Sequence, residues 1–337
     1  MQPAQEHTLR PFVEGVQIGE AVGHRNLTLV PLRGEGSEPL IYRLAAEAIL
    51  AGQLSISEVS EGGSVPELLA VNQSDQPILL LDGEELVGAK QNRILNTSVL
   101  LSPNSKTKIP VSCVEQGRWH MASQSFSTGS YSPAKLRARK SKDVTASYLR
   151  EGTARGDQGA VWEEVACSLD ALSAPSPTMA MHDAVHHQQD HLESYLQALP
   201  CPQNARGVVV GIGGRFVAMD LFDQASTLQS VWPRLLTGYA LDALAAKKDP
   251  SGTFTARGAG ELLLRLADQL CQPCPSLGLG EDWRFDSPDL VGQALVAEGT
   301  CVHLCAFPVV GESRPASRPG ILPPSQRRRG HNPDASC

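Results

Sequence analysis

From Leu54 to about residue 117 the chain is a succession of short β-prone runs, LSISEVS, ELLAVN, ILLL, EELVG, RILNTSVLL and KIPVSCVE, separated by Gly, Asn, Asp, Ser and Pro. That pattern commits this part of the chain to sheet. Asp82-Gly83, between ILLL and EELVG, is a two-residue hairpin signal, because a type I′ turn needs positive φ. SPNSKT (102–107) reads as the next turn; centred near Asn104, it would set Arg93 opposite Glu115 and Leu95 opposite Cys113. NLTLVPLRG (26–34) reads as a first strand and YRLAAEAILAG (42–52) as a short helix stopped by Gly52.

The rest brings in helices. Residues 120–157 are polar and basic, with an early Ser-rich loop and a helix starting near Ser132-Pro133, Ser as N-cap and Pro first. Asp157 caps a second helix, and Thr178 a third that reaches Leu199. GVVVGIGGRFVAMDLF (207–222) is a hairpin about Gly213-Gly214. Helical spacing runs from Leu228 to Ala243, with a kink or fresh start at Pro233. GELLLRLADQL is a further helix, and QALVAEG with TCVHLCAFPVV a closing strand pair.

The expected fold is therefore α+β: a β-rich N-terminal sandwich or open barrel joined by helices to a smaller α/β C-terminal part. The expected divisions are an irregular lead-in at 1–25, a β-rich part carrying the candidate site at 26–119, a basic loop and helices at 120–200, hairpins plus helices at 201–311, and a disordered Pro- and Arg-rich tail at 312–337.

Composition narrows the functional classes. Charged residues are 19% and hydrophobic ones 41%, which suits a packed globule. A formal charge of −7 disfavours nucleic acid and anionic membrane as partners, since both want a basic face. No apolar run is long enough for a membrane span, and the opening MQPAQEHTLRPFVEG has no signal-peptide core, so cytoplasm is the expected compartment and the eight cysteines are expected to be reduced. Oligomeric state is not readable.

One stretch concentrates chemistry. Glu84, Glu85, Lys90, Gln91, Asn92, Arg93, Asn96, Cys113, Glu115, Gln116, Arg118 and Trp119 crowd into two expected hairpins, and KQNR breaks strand alternation with four polar residues. A guanidinium facing a carboxylate can be a structural ion pair, or can hold a carboxylate ready for proton transfer. Both alternatives stay open.

LLLDGEELVGAKQNRILNTSVLL, IPVSCVEQGRW, DQGAVWEEV and the segment from VVVGIGGRF to WPRLLTGYALDAL resemble the ARG-and-Rhodanese-Phosphatase-superfamily-Associated Protein domain family over roughly residues 25–310. The resemblance implies an association with ADP-ribosylglycohydrolases and rhodanese/phosphatase-type enzymes, hence with NAD-derived or ADP-ribose-type metabolites; it supplies no agreed reaction and no cofactor. On that footing Glu84, Glu85 and Glu115 are candidate catalytic acids and bases. Lys90, Gln91, Asn92, Arg93, Asn96, Arg118 and Trp119 are candidate contacts for an anionic nucleotide-like ligand. The alternative is a non-catalytic binding or regulatory module.

Other groups read as structural. Cys113 is expected as a buried core thiol, for want of an activating histidine other than His120. Cys271, Cys274, Cys301 and Cys305 have split-zinc spacing, yet 301, 303 and 305 alternate in phase along one strand. His182, His186, His187 and His191 share a helix, with a solvated face as the default. The basic run Arg118, Lys135, Arg137, Arg139, Lys140, Lys142, Arg150 and Arg155 is either a solvated face or a mobile flap for a phosphorylated ligand.

Overall fold

The structure, a computed structural model, describes residues 7–34, 40–60, 62–246 and 252–309. Helix α1 (Arg10–Val13) leads into β1 (Gln17–Ile18), β2 (Val22–His24) and β3 (Leu27–Arg33). Then come β4 (Arg43–Leu44), α2 (Ala45–Leu50), β5 (Leu54–Glu58), β6 (Glu67–Asn72), β7 (Ile78–Leu80) and β8 (Glu84–Gly88). β9 (Arg93–Leu95), β10 (Val99–Leu101), β11 (Ser105–Cys113) and β12 (Phe126–Tyr131) complete the N-terminal strands. Helices α3 (Ala134–Glu151), α4 (Gln158–Ala171), α5 (Met181–His187) and α6 (Gln189–Ala198) follow. The chain closes with β13 (Gly207–Ile212), β14 (Arg215–Phe222), α7 (Ala225–Ala245), α8 (Ala256–Ala267), β15 (Gln272–Pro275), β16 (Glu281–Asp286), β17 (Leu290–Ala297) and β18 (Thr300–Pro308).

Three sheets result. β12-β8-β9-β11-β6-β5 form one, whose edge strands β12 and β5 approach each other, and β10-β7-β4 form a second. Together with α2 they enclose a core that includes Ile56, Leu68, Leu86, Leu95 and Ile109. This is the half-open barrel of a β-rich N-terminal portion, and the α+β class stands. The third sheet runs β1-β3-β13-β14-β18-β17-β16-β15, with β2 beside β3. Its run VVV is apolar on both faces because both are covered. Val208 and Val210 pack with residues of α4 and α7, whereas Val209 packs with Leu262 and Leu266 of α8.

Several expectations are corrected. The first strand pairs with β13, Leu27 opposite Ile212, so it belongs to the C-terminal sheet. Asp82-Gly83 is a turn, with Glu84 N–H on the Leu81 carbonyl and Gly83 at φ 75°, but β7 and β8 part into different sheets across it. RILNTSVLL folds back on KIPVSCVE only in its first half, because Asn96-Thr97-Ser98 bends the chain and β10 pairs with β7 instead. β11 pairs with β9 in a register that sets Cys113, not Glu115, opposite Arg93. The stretch from Thr178 to Leu199 is two helices, and Thr178 caps neither; it sits before Ala180, the N-cap of α5. Pro133, not Ser132, stands at the N-cap of α3, and α7 runs through Pro233 unbroken. Residues 7–25, expected to be irregular, hold α1, β1 and β2, and the Ser-rich loop contains β12. The tail expected at 312–337 lies outside the described residues. Local signals that hold include Asp157, whose side chain accepts N–H bonds from Gly159 and Ala160, and the Gly213-Gly214 turn, positive in φ at both residues.

The basic run changes character most. Arg137 and Lys140 on α3 are fully buried and clamp the half-barrel to the large sheet. Arg137 donates to Asp82 at 3.1 Å and to both carboxylate oxygens of Asp220 at 2.9 and 2.7 Å; Lys140 also donates to Asp82 and to the Leu95 carbonyl. Tyr239 and His303 complete the shell of Asp220, and Ser98 bonds the other His303 nitrogen at 2.7 Å. Burial would raise both aspartates, yet their cationic partners hold both below the usual carboxylate range.

Helix α7 reaches β12 at Gly238, where a Cβ would lie 2.8 Å from the Tyr131 carbonyl oxygen and 2.9 Å from that of Ser132. Gly238→Ala is therefore expected to destabilise by about 1–3 kcal/mol through overpacking. The gain in helix propensity, at most about 1 kcal/mol, has the opposite sign and is smaller. Denaturant titration reads the difference, and a net stabilisation would contradict the close approach.

Candidate functional site

The polar run KQNR is a connection rather than a strand. β8 and β9 pair only at Glu85–Ile94 and Leu86–Arg93, and Ala89 at φ 40° turns the chain between them. That is why four polar residues break the alternation. Asn92 fastens the loop: its side-chain oxygen accepts the Gly88 N–H at 3.1 Å and an Arg118 N–H at 3.1 Å.

Glu115 and Arg118 form a clasp over this loop. The guanidinium meets the carboxylate at 2.8 and 2.6 Å through two nitrogens, and donates further to the carbonyls of Ala89, Gly88 and His120. Glu115 also accepts the Asn92 N–H at 3.0 Å and the Thr178 hydroxyl at 3.0 Å. Burial pushes the Glu115 carboxyl up, but these donors outweigh it and hold it low. Arg118 spends its donors on protein acceptors, and Asn92 is committed to the same clasp.

Beneath it lies Arg93, with no exposed surface. One terminal nitrogen donates to the Gln91 side-chain oxygen at 3.0 Å; Nε and Nη2 have no hydrogen-bond partner. Gln91 also accepts the Cys113 thiol at 3.2 Å and donates to the Glu115 carbonyl. Trp119, half-exposed, roofs the group: its ring centre is 5.9 Å from the Arg93 guanidinium and 5.3 Å from the Lys90 ammonium. Lys90 in turn donates to the Gly62 carbonyl. Burial raises the Cys113 thiol, against the pull of Arg93, so the thiol form is favoured there. Arg93, Gln91, Cys113, Lys90 and Trp119 are thus brought together. Asn96 is not among them; it bonds Ser112 and the Ala154 carbonyl on the side of Lys140.

The three glutamates have separate fates. Glu84 is buried against Arg234 at 2.6 Å, on the side where α7 packs. Glu115 is clasped. Glu85 is fully buried, accepts or shares a proton with His182 Nδ1 at 3.0 Å, and has one carboxylate oxygen without a partner. Burial pushes Glu85 up, while its bond pushes His182 up. His182 Nε2 meets His186 Nε2 at 3.1 Å. The histidines expected on a solvated face therefore include one anchored to a buried carboxylate. Ligand-type i, i+4 spacing was the only signal for it in the chain, and the partner strand lies far away in sequence.

The remaining candidates disperse. A bulge between Leu295 and Val296 breaks the expected phase of 301, 303 and 305, so Cys301 packs in one hydrophobic cluster and Cys305 in another, with Cys274 in a third. Among the described residues Asp220, His303 and Cys305 lie within metal-ligand range of one another. The Arg137 guanidinium already fills the Asp220 carboxylate, so a cation does not fit beside it. A shallow groove lined by Cys201, Asn204 and Gln229 lies apart from all these groups.

A family model described as the ARG and Rhodanese-Phosphatase-superfamily-associated Protein domain matches residues 15–307. No curated protein and no solved structure matches the chain. No helix among the described residues is long and apolar enough to cross a membrane.

Proposed function

The chain belongs to the ARG and Rhodanese-Phosphatase-superfamily-associated Protein domain family, and on that footing we propose that it binds an anionic, nucleotide-like metabolite of the ADP-ribose class and hydrolyses or transfers at its glycosidic or phosphate linkage. The observation that carries this is Arg93, a wholly buried guanidinium with two unpaired nitrogens under an aromatic ring. Buried donors are normally satisfied, and a charged one left open marks a place for an acceptor. A phosphate oxygen is that acceptor, and Trp119 offers a face on which a base can stack.

Acid–base chemistry is supported by the divergence of two neighbouring carboxyls, Glu85 on the face of the sheet away from Arg93 and Glu115 in the clasp. Burial raises Glu85, and the Arg118 clasp holds Glu115 low despite its burial. Environments that push paired carboxyls apart assign one as acid and leave the other ionised. Glu85, with a free oxygen, takes the acid's part here, and Glu115 keeps the loop and the local charge in place.

A non-catalytic module is the second reading, and the locking of Glu84 by Arg234 and Glu115 by Arg118 favours it. Calorimetric titration with ADP-ribose, adenosine and inorganic phosphate tests the binding that both readings share. ADP-ribose is expected to bind at least about tenfold more tightly than adenosine, since each charge-assisted bond is worth roughly 1.5–3 kcal/mol. Equal or absent binding of ADP-ribose and adenosine would overturn the anion site. Release of free ribose or phosphate products on incubation separates the enzyme from the module.

A further inference from the structure

Glu85 has one carboxylate oxygen without a partner, and it has no exposed surface of its own. An acid so buried needs a way to regain each proton it gives up. Two imidazoles supply a continuous path outward. Glu85 Oε2 lies 3.0 Å from His182 Nδ1, and His182 Nε2 lies 3.1 Å from His186 Nε2, which is at the surface. The two rings stand nearly perpendicular, with centres 4.7 Å apart. Gly129 on β12 makes room for this geometry, since a Cβ there would lie 2.5 Å from Glu85 Oε2. We propose that His182 and His186 are a proton relay that reloads Glu85 from solvent.

The proposal rests on the reading of Glu85 as the acid of the site. On that reading Glu85 gives a proton to the leaving group, and the nucleophile that attacks the substrate releases one to solvent. His182 Nδ1 returns a proton to Glu85 Oε2, His182 Nε2 takes one from His186 Nε2, and His186 takes one from water. The partly exposed His182 ring then regains Nδ1–H from solvent and releases Nε2–H, so protons and charge balance and the starting tautomer is restored. The charged groups acting on the relay are few. Glu115 and Asp183 both favour a protonated His182, and Glu115 also disfavours ionisation of Glu85. Asp183 is itself tied to the Ser176 hydroxyl at 2.5 Å. A hydrogen-bonded pair of unlike groups sharing one proton titrates as a unit, so Glu85 and His182 act together rather than separately.

The test needs no substrate. Carbon-13 and nitrogen-15 NMR of selectively labelled full-length protein follows the Glu85 carboxyl and the His182 ring across pH. Wild-type protein is expected to show the two groups titrating together with rapid proton exchange. His182→Gln keeps a hydrogen-bonding partner for Glu85 but cannot pass a proton. Exchange at Glu85 should then slow by about tenfold or more, since positioned acid–base groups contribute on the order of 10²–10⁴-fold. Added free imidazole should restore it, which a merely structural role would not. His186→Gln should act in the same direction and more weakly, because part of His182 is itself exposed. Unchanged exchange in His182→Gln, or no recovery with imidazole, would overturn the relay. So would stoichiometric Zn²⁺ binding that is lost on changing either histidine, which would make the pair a metal site. Failure of ADP-ribose to bind would instead strike at Arg93 and leave these measurements standing.

Discussion

Replacing Arg93 with methionine is expected to weaken ADP-ribose binding while leaving the ligand-free protein as stable as before, or more so. The two effects have one cause. Burial lowers the Arg93 pKa, which is the sign of a charge held where it is poorly solvated, and two of its nitrogens find no acceptor. An unsatisfied buried polar group costs about 1–3 kcal/mol. Methionine has a similar reach, fills irregular space and carries no such penalty. Against that stand one bond to Gln91 and the contact with the Trp119 ring, each worth roughly 1 kcal/mol. With two such unsatisfied nitrogens, the balance predicts a stability change between about zero and 4 kcal/mol in favour of Arg93→Met. Affinity moves the other way, by roughly 10- to 150-fold for a lost bond to a charged donor. Chemical denaturation of the free protein and calorimetry with ADP-ribose read the two quantities. A variant that unfolds more readily and still binds as the wild type would show Arg93 to be a structural residue.

Arg137→Met is expected to behave in the opposite manner. Arg137 stands between Asp82 and Asp220, and all three side chains are almost entirely excluded from solvent. Lys140 still neutralises Asp82 after the change, but Asp220 is left with His303 and the Tyr239 hydroxyl. Removing one partner of a buried pair costs on the order of 3–5 kcal/mol, because the other charge stays behind in low dielectric. The loss should be the same whether or not a ligand is present. It should also depend on pH in a definite sense. Asp82 and Asp220 are held below their unfolded values, so the stability they contribute is present above the ordinary carboxylate range and is lost as pH falls through it toward their folded values. In Arg137→Met that acid-side loss should shrink, since Asp220 no longer has the partner that kept it low. Urea midpoints at neutral and mildly acid pH measure this; an undiminished acid slope would mean that other carboxylates dominate.

Those two arginines also show what a chain can disclose before it is folded. Signals confined to a few residues were legible: the Asp157 cap, the Gly213-Gly214 turn, and the short strands themselves all depend on near neighbours. The membership of the site was legible in part, because Gln91, Arg93, Cys113 and Trp119 come from two neighbouring stretches. Partnerships across the fold were not. Arg137 looked like any member of a basic helix face, since Asp82 and Asp220 are 55 and 83 positions away. His182 looked solvated because Glu85 is 97 positions away. The register failed for a different reason. The expected antiparallel pairing of β9 with β11 is there, but it is shifted by two residues, because the bend at Asn96-Thr97-Ser98 sends β10 into another sheet and SPNSKT does not close a simple hairpin.

The pairing of β3 with β13 bears on how the molecule is assembled. β1 and β2 cover one edge of β3 soon after it is made, but the other edge waits for a strand beyond the half-barrel and four helices. Closing so long a loop is thermodynamically mild, with each doubling of length adding only about 0.6 kcal/mol. Its effect is kinetic: during synthesis on the ribosome the apolar run LTLV has an open edge for as long as the intervening chain is being made. The half-barrel, whose strands pair among themselves, can form first, and the large sheet zips together last.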